Sequence, residues 1–156
     1  MYDSGGDPLR TLGMDRLSKE QRSQNMSVIR DKDTKPELFV RRFLRTRRVS
    51  YRCNVRTLPG RPDIAIKKYK LALNVHGCFW HGHNNCKRYR LPKSNVDFWK
   101  AKIESNILRD ERQKQTLLSL GYHYWEIWEC EILRGDLTKL EEFVDVYRRV
   151  RNIVQL

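Results

Sequence analysis

Residues 74–86 read Asn-Val-His-Gly-Cys-Phe-Trp-His-Gly-His-Asn-Asn-Cys. This segment holds three of the four histidines and two of the four cysteines of the chain, with Phe79 and Trp80 between them. Thiols and imidazoles at such a density bind a metal ion more often than they fill a core, and zinc prefers four of them in a tetrahedron. Because the segment has few aliphatic side chains to bury, we expect a metal site to order it in place of a local hydrophobic core.

The candidate zinc ligands are thiols and imidazoles in and beyond this segment: Cys78, His81, His83, Cys86 and Cys130. Their clustering favours zinc over disulfides. Spacing does not choose among the histidines, but Cys130 follows a predicted strand, from which the chain can return to the segment. The alternative, thiols packed as small apolar groups, suits Cys53 better. His123 lies in an alternating pattern, and we expect it to be packed or exposed rather than a ligand.

Short β-like runs and longer helical patterns surround the segment. Strands are predicted over residues 51–55, 64–66, 71–75 and 122–128, with turns between them. Helices are predicted over residues 18–29, from the capping box at 34–37, over residues 95–120, and after the cap Asp136. This order predicts an α/β fold with a mixed central sheet flanked by helices. Residues 1–17 are expected to be a flexible leader, and residues 18–156 one domain.

Three of the predicted helices carry apolar stripes. The inward positions of the helix after residue 34 are expected to be Phe39, Val40, Phe43 and Leu44. Those of the long helix are expected to be Phe98, Ile103, Ile107, Leu117 and Leu118, with Gly121 as its stop. Those of the last helix are expected to be Leu140, Phe143, Val144, Tyr147 and Val150.

The chain of 156 residues is strongly basic, with 32 Lys+Arg against 19 Asp+Glu, a net charge of +13 and a pI near 9.9. The excess is spread along the chain, which favours a polyanionic partner, most simply nucleic acid. The alternative is a basic protein whose charge only keeps it soluble. Neither a long apolar run nor a signal-peptide pattern is present, so the sequence predicts a cytoplasmic protein without a membrane span.

Asp63 is the first candidate for an acidic site, since it follows Pro62 and enters a predicted strand. Hydrolysis of a phosphodiester uses Mg²⁺ to neutralise developing charge and to position the attacking water, and Mg²⁺ takes oxygen ligands. The main-chain carbonyl of Val75, one strand away, is a second candidate ligand. In the alternative interpretation, Asp63 only ends a turn.

Three further polar side chains allow both a functional and a structural interpretation. Glu37 suits a catalytic site, but it is also placed to accept a hydrogen bond from the Thr34 amide as part of a capping box. Asn106 and Asp110 are four residues apart and share one helix face. That face is either functional or simply solvated.

Phe79 and Trp80 lie between candidate ligands, so a fixed loop would let the two rings project as an apolar wedge. Side chains of this kind insert between base steps in proteins that distort duplex DNA, and methionine is also used. Met26 stands in a polar stretch and is a third candidate. Its alternative role is a helix contact with the core.

These motifs resemble the very-short-patch (Vsr) mismatch repair endonuclease family from about residue 18 to residue 130. The resemblance is carried by Asn25-Met26, residues 34–37, Leu-Pro-Gly-Arg-Pro-Asp at 58–63, His-Gly-Cys-Phe-Trp-His at 76–81, Phe98-Trp99, residues 106–110 and Trp128-Glu129-Cys130. It implies a restriction-endonuclease-like fold of the PD-(D/E)XK type with structural Zn²⁺. It also implies Mg²⁺-dependent nicking of one strand of duplex DNA beside a T:G mismatch, the product of deaminating 5-methylcytosine.

The resemblance also implies roles for individual residues. Asp63 and the carbonyl of Val75 correspond to Mg²⁺ ligands, and His76 to a histidine that activates or orders the attacking water. His81 corresponds to a second active-site histidine. The remaining assignments are metal-bound water for Glu37 and Asn106, with Asp110 a weaker candidate; zinc for Cys78, His83, Cys86 and Cys130; and intercalation for Met26, Phe79 and Trp80.

The chain departs from the best-known member of the family in two places. Residues 81–86 lack its histidine-rich run and are one residue longer, which leaves His83 the least secure zinc ligand. Val75 replaces a threonine, which is harmless if only the backbone binds. The family implies a monomer in a bacterial cytoplasm, working with mismatch-recognition proteins and a repair polymerase. The alternatives are a related nuclease with a restriction or homing target, and a zinc-stabilised DNA-binding module without catalysis.

Overall fold

The computed structural model describes Ser18 and residues 32–154 of the chain. The predicted leader and most of the predicted first helix, Met26 included, lie outside the described residues. The described elements are α1 (Lys35–Thr46), β1 (Arg52–Cys53), β2 (Ile64–Ile66), a 3₁₀ turn (Lys67–Tyr69), β3 (Leu71–His76), α2 (Val96–Ser119), β4 (His123–Trp128), α3 (Glu129–Leu133) and α4 (Thr138–Val154). None of the described helices is long and apolar enough to cross a membrane.

The four strands form one mixed sheet in the order β1-β2-β3-β4. Neighbours are antiparallel from β1 to β3, whereas β3 and β4 are parallel and pair from Leu71 opposite His123 to His76 opposite Trp128. A parallel pair needs a crossover connection, and α2 lies within it. The predicted mixed α/β fold is therefore confirmed.

Alternation along β3 separates two faces of the sheet. One face packs with α1 and α4 in a core that includes Leu44, Leu73, Ile127 and Phe143. Asn74 and His76 belong to the other face, opposite Glu126 and Trp128 of β4. This second face lies under α2. Polar side chains of β3 thus meet those of α2 away from the main core.

Helix ends agree with the sequence patterns. The Thr34 hydroxyl accepts from the Glu37 amide, and Pro36 lies in the first turn of α1. Gly121, at a φ of 80°, follows α2, and the amide of Tyr122 donates to the Leu117 carbonyl at 3.0 Å. This is the left-handed C-terminal motif expected of glycine. Asp136 accepts from the amide of Thr138, where α4 begins.

Several predictions about the elements are wrong. β1 covers only two residues, since Asn54 adopts a positive φ, and Cys53 is exposed on this edge strand rather than packed. β3 extends to His76, so this histidine ends a strand instead of starting a loop. The short helix α3, which carries Cys130, was not predicted.

The predicted apolar stripe of the long helix is also partly wrong. Phe98, Ile107 and Leu118 are 61%, 40% and 43% exposed, whereas Ile103 and Leu117 are buried as predicted. Trp99, which was not among the predicted inward positions, is buried. The helix therefore rests on a narrow stripe, and part of its buried side is polar because Asn106 lies there.

Candidate active site and metal centre

A cluster of three thiols and one imidazole lies where the loop after β3 meets α3. We call Cys78, His83, Cys86 and Cys130 the thiol cluster; their ligand atoms all lie within 4.8 Å of one another. The chain turns tightly here, because the His83 amide donates to the Cys78 carbonyl at 3.0 Å and the Cys86 amide donates to the His83 carbonyl at 3.3 Å. Cys130 joins from α3, with its sulfur 3.4 Å from His83 Nδ1.

The surroundings of the thiol cluster keep it closed. Cys78 and Cys130 are buried, and the His83 ring stacks on Trp128 at 4.0 Å between centroids. Burial raises the pKa of the Cys78 thiol well above its usual range, so this sulfur stays protonated unless a cation binds it. Four soft or borderline donors with no carboxylate among them match the donor set of a structural zinc site. The residues fit zinc.

His76, His81 and Asp110 form a second cluster. His76, at the end of β3, stacks on His81, with ring centroids 4.1 Å apart and the planes within 5°. His81 Nδ1 donates to Asp110 Oδ2 on α2, and ligand atoms of the three residues lie within 4.8 Å of one another. The alternative interpretation of a merely solvated face is therefore wrong for Asp110, which contacts His81, and for Asn106, which is buried.

The two stacked histidines differ in their electrostatic surroundings. Burial, followed by the neighbouring charge of His81, lowers the pKa of His76 to about 3, so its ring is neutral at physiological pH. His81 instead holds an ionised partner: although burial opposes it, the hydrogen bond from His81 lowers the pKa of the Asp110 carboxyl. Such a carboxylate orients the ring and stabilises a positive charge that develops on it.

Asp63 lies at the start of β2, against β3. Its Oδ2 accepts from the Val75 amide at 2.8 Å, and its own amide donates to Asn74 Oδ1 at 3.1 Å. Burial, with a further contribution from the charge of Glu37, raises the pKa of Asp63 to about 6. A nearby cation favours the ionised form of a carboxyl whose pKa burial has raised, so Asp63 is suited to bind one. Oxygen donors suit Mg²⁺, so the residue fits that ion.

The charge of His81 acts on Asp63 as well and lowers its pKa. The structure brings the Asp63 carboxylate to the main chain of Val75, the residue before His76. A shared cation site of Asp63 and His76 stays a prediction.

Glu37 is committed to the start of α1. Its carboxylate accepts from the Thr34 hydroxyl at 2.8 Å and from the Asp33 amide at 3.0 Å, and it pairs with Arg41 at 3.3 Å. The predicted cap is thus present, although the amide that it satisfies belongs to Asp33 and not to Thr34. Since the charge of Glu37 acts on Asp63, both carboxylates face the same region.

The side chain of Asn106 binds the main chain of the loop after β3 and not a carboxylate. Its Nδ2 donates to the main-chain carbonyl of Trp80 at 2.9 Å, and the side chain is buried. One turn further along α2, Asp110 holds His81. The helix therefore fixes the loop at two adjacent residues, Trp80 and His81.

Phe79 and Trp80 are half-buried and do not stand free of the protein. Both rings pack edge-on against Trp99 of α2, with centroids 5.5 and 5.9 Å away, and Trp99 in turn contacts Phe98 at 5.3 Å. We call these four side chains the aromatic cluster. Phe98 is its most exposed member, at 61%. The expected projecting pair is therefore one part of a larger apolar surface.

Known proteins resemble this chain over most of its length. The sequence profile described as "DNA mismatch endonuclease Vsr" matches residues 14–88. The type II nicking enzyme V.XorIIP of Xanthomonas oryzae pv. oryzae is 43% identical over 140 residues, which cover 90% of this chain and 96% of the relative. The chain belongs to the Vsr family. The type II nicking enzyme V.NmeAIP of Neisseria meningitidis is 42% identical over 76% of this chain and 84% of its own. The DNA mismatch endonuclease Vsr of Escherichia coli is 38% identical over 75% of this chain and 74% of its own.

In this Vsr-family chain, sequence reasoning missed four side chains that shape the site: Asn74, Trp99, Tyr124 and Trp128. Trp128 contacts both clusters, since it stacks on His83 and lies edge-on to His76 at 5.2 Å. Asn74 was visible as a polar residue within an apolar strand, and Trp99 as the neighbour of an aromatic in a recognised motif. No local signal marked Tyr124, because its contact depends on the pairing of β3 with β4.

Proposed function

We propose that this Vsr-family protein is a Mg²⁺-dependent endonuclease that nicks one strand of duplex DNA beside a T:G mismatch. It would thereby start very-short-patch repair of deaminated 5-methylcytosine. The observation that carries the proposal is a partly buried carboxylate, Asp63, that binds the amide of Val75. The next residue is His76, whose ring stacks on His81, the histidine that is paired with Asp110. A module that only binds DNA has no use for this arrangement.

Asp63 and the main-chain carbonyl of Val75 would hold Mg²⁺, and the resemblance to the family assigns Glu37 and Asn106 to its bound water. When bound, the ion supplies positive charge for the developing phosphorane and fixes the attacking water. Asp63 is oriented for this by the Val75 amide, which occupies only Oδ2.

His76 and His81 would have different roles. His76 has a pKa lowered to about 3, which keeps it neutral and also makes it a weak base. His81 hydrogen-bonds to the ionised Asp110, which would stabilise the imidazolium formed when it takes a proton from water. In this scheme His76 packs against His81 and orders the water, whereas His81 accepts the proton at Nε2.

Selection of a mismatch would use the aromatic cluster. Phe79 and Trp80, with Met26 from the part of the chain outside the described residues, would enter the stack beside the mispaired bases. A mispaired step needs less energy to unstack than a paired one, so the same insertion favours the mismatched duplex. Zinc in the thiol cluster would fix the loop from which the rings project.

Duplex DNA is thus the proposed substrate, which agrees with the net charge of +13. We propose that the protein acts as a monomer in the bacterial cytoplasm, together with mismatch-recognition proteins and a repair polymerase.

The test is a nicking assay on labelled duplexes that carry T:G, other mismatches or perfect pairs, each with Mg²⁺ and with a chelator. We expect nicking only with Mg²⁺ and mainly at T:G. Asp63→Ala should lower the nicking rate more than about 100-fold, since even an outer partner of a metal contributes 10–100-fold. DNA binding by the variant should stay near normal.

The control is Asp145→Ala, which removes an exposed carboxylate of α4. It should nick like the parent protein. Nicking by Asp63→Ala at the parent rate would exclude Asp63 as the catalytic carboxylate. Equal cleavage of perfect duplex would instead favour the alternative nuclease with a different target.

A further inference from the structure

A polar pair on β3 and β4 lies behind Asp63. Asn74 Oδ1 accepts from the amide of Asp63 at 3.1 Å, and the next residue, Val75, donates its amide to Asp63 Oδ2 at 2.8 Å. Two consecutive residues of β3 therefore hold Asp63 at its main chain and at its carboxylate. This leaves Oδ1 of Asp63 outside both contacts.

Tyr124 of β4 lies beside Asn74 on the sheet. It pairs with Ala72, two residues before Asn74, so both side chains belong to the same face of the sheet. A carboxamide has one accepting and one donating end. Since Oδ1 accepts from the amide of Asp63, Nδ2 is the end that is left to donate toward the tyrosine oxygen.

Tyr124 is an uncharged neighbour of the site. Burial, and then the charge of Glu126, raises its pKa, so the hydroxyl is neutral at physiological pH. It therefore contributes orientation and not charge.

A half-buried amide is unfavourable unless its polar ends are bonded. Asn74 uses its Oδ1 to hold the main chain of Asp63, the residue that would carry the reaction. The contact is thus directed at Asp63 rather than at the core.

We propose that Asn74 and Tyr124 are positioning residues that fix Asp63 for the divalent cation. The proposal rests on the proposed function, in which Asp63 binds Mg²⁺. It assigns the two side chains to cation affinity, through Asp63, and not to DNA binding or to the chemical step once the cation is bound.

The experiment compares Asn74→Ala, Tyr124→Phe and the parent protein over a range of Mg²⁺ concentrations on a T:G duplex. Asn74→Ala should raise the half-saturating Mg²⁺ concentration about 10-fold, the lower range for an outer partner of a metal, and leave the rate at saturating Mg²⁺ within about threefold. Tyr124→Phe should act in the same direction by about threefold, because it removes one end of the contact. Tyr122→Phe, the same change two residues away, should leave the curve unchanged.

Direct binding of Mn²⁺, followed by the electron paramagnetic resonance signal of the free ion, gives a second readout that needs no activity. The Mn²⁺ affinities should fall in the same ratios as the half-saturating Mg²⁺ concentrations rise. If Asn74→Ala lowers only the saturated rate, or leaves both cation curves unchanged, the positioning role is wrong. If Asn74→Ala does not fold, Tyr124→Phe decides by the same two criteria.

Failure of the proposed function gives a different result. A parent protein that does not nick T:G duplexes can still bind Mn²⁺ at Asp63, and Asn74→Ala would still weaken that binding. A parent protein that nicks as expected, with variants indistinguishable from it in both cation curves, refutes the positioning role alone.

Discussion

At the scale of the residue, the ionised form of Asp63 lowers the stability of the folded protein at neutral pH. Burial, with the charge of Glu37, raises its pKa from 3.8 to about 6. Between these two values the folded protein binds more protons than the unfolded chain, so stability falls as the pH rises through that range. Above pH 6 the full unfavourable contribution is present, and below pH 4 it is absent.

Asp63→Asn should therefore stabilise the metal-free protein at pH 7.5 by about 1–3 kcal/mol, since one pKa unit corresponds to about 1.4 kcal/mol and the group is half-buried. Asparagine keeps an oxygen for the Val75 amide. Urea unfolding at pH 7.5 and pH 4 measures the difference, which should vanish at pH 4. Asp145→Asn, on the exposed face of α4, should change stability by less than about 0.5 kcal/mol at either pH. Equal stability of Asp63→Asn and parent at pH 7.5 would contradict the raised pKa.

The sequence identified Asp63, Glu37 and the histidines as candidates, because this inference needs only the type of each residue and its near neighbours along the chain. They did not reveal how Glu37 is used. Its carboxylate serves the cap and the ion pair with Arg41 while its charge still acts on Asp63, and only the approach of α1 to β2 brings those groups together.

At the scale of the element, the loop after β3 is fitted closely to α2. Gly82 has a φ of 60°, and a Cβ added there would lie 2.6 Å from Ile107 Cδ1 and 2.9 Å from Ile103 Cγ2. A side chain at this position would thus be strained in its backbone and would also push the loop away from the helix. The same helix anchors the loop through Asn106 and Asp110.

Gly82→Ala should destabilise the protein by about 2–4 kcal/mol, from a left-handed backbone at about 1–2 kcal/mol and overpacking at about 1–3 kcal/mol. Gly135→Ala is the matched control: its φ is 73°, and nothing lies within 4 Å of the added Cβ. It should lose only the backbone contribution. Thermal unfolding of both variants separates the two causes, and equal losses would show that the loop does not rest on α2.

Element boundaries followed the sequence where capping and termination are local, as at Thr34 and Gly121. The inward side of α2 did not follow it. Hydrophobicity favoured Phe98 and Ile107, yet Trp99 and Asn106 are buried, because the loop and not the main core covers this part of the helix. The periodicity of apolar residues predicts that a helix has a buried side. It does not predict whether the surface that covers this side is apolar or polar.

At the scale of the whole molecule, the thiol cluster joins distant parts of the chain. His83 and Cys130 are 47 residues apart, and Trp128 connects the cluster to His76. A cation in this cluster would bind the loop after β3 to the end of β4. Removing it should loosen the loop that carries Phe79, Trp80 and His81.

Cys130→Ser should therefore lose the bound zinc and lower the melting temperature on the order of 10 °C, since structural zinc contributes several kcal/mol to folding. Cys53→Ser is the matched control, because Cys53 is an exposed thiol outside the cluster. It should keep one zinc ion per chain and the parent melting temperature. Metal analysis and thermal unfolding measure both quantities. One zinc per chain in Cys130→Ser, at an unchanged melting temperature, would contradict the assignment.

The sequence by itself determined the succession of helices and strands, the caps, the basic charge and the types of side chain available for chemistry, because each depends on near neighbours. Spacing alone did not separate the histidines, since all three loop histidines lie within a few residues of one another; the tertiary structure places His83 among the thiols and His81 against Asp110. It also placed Asn74, Tyr124 and Trp128 beside the site. Their contacts arise from the parallel pairing of β3 with β4, whose partners are far apart along the chain.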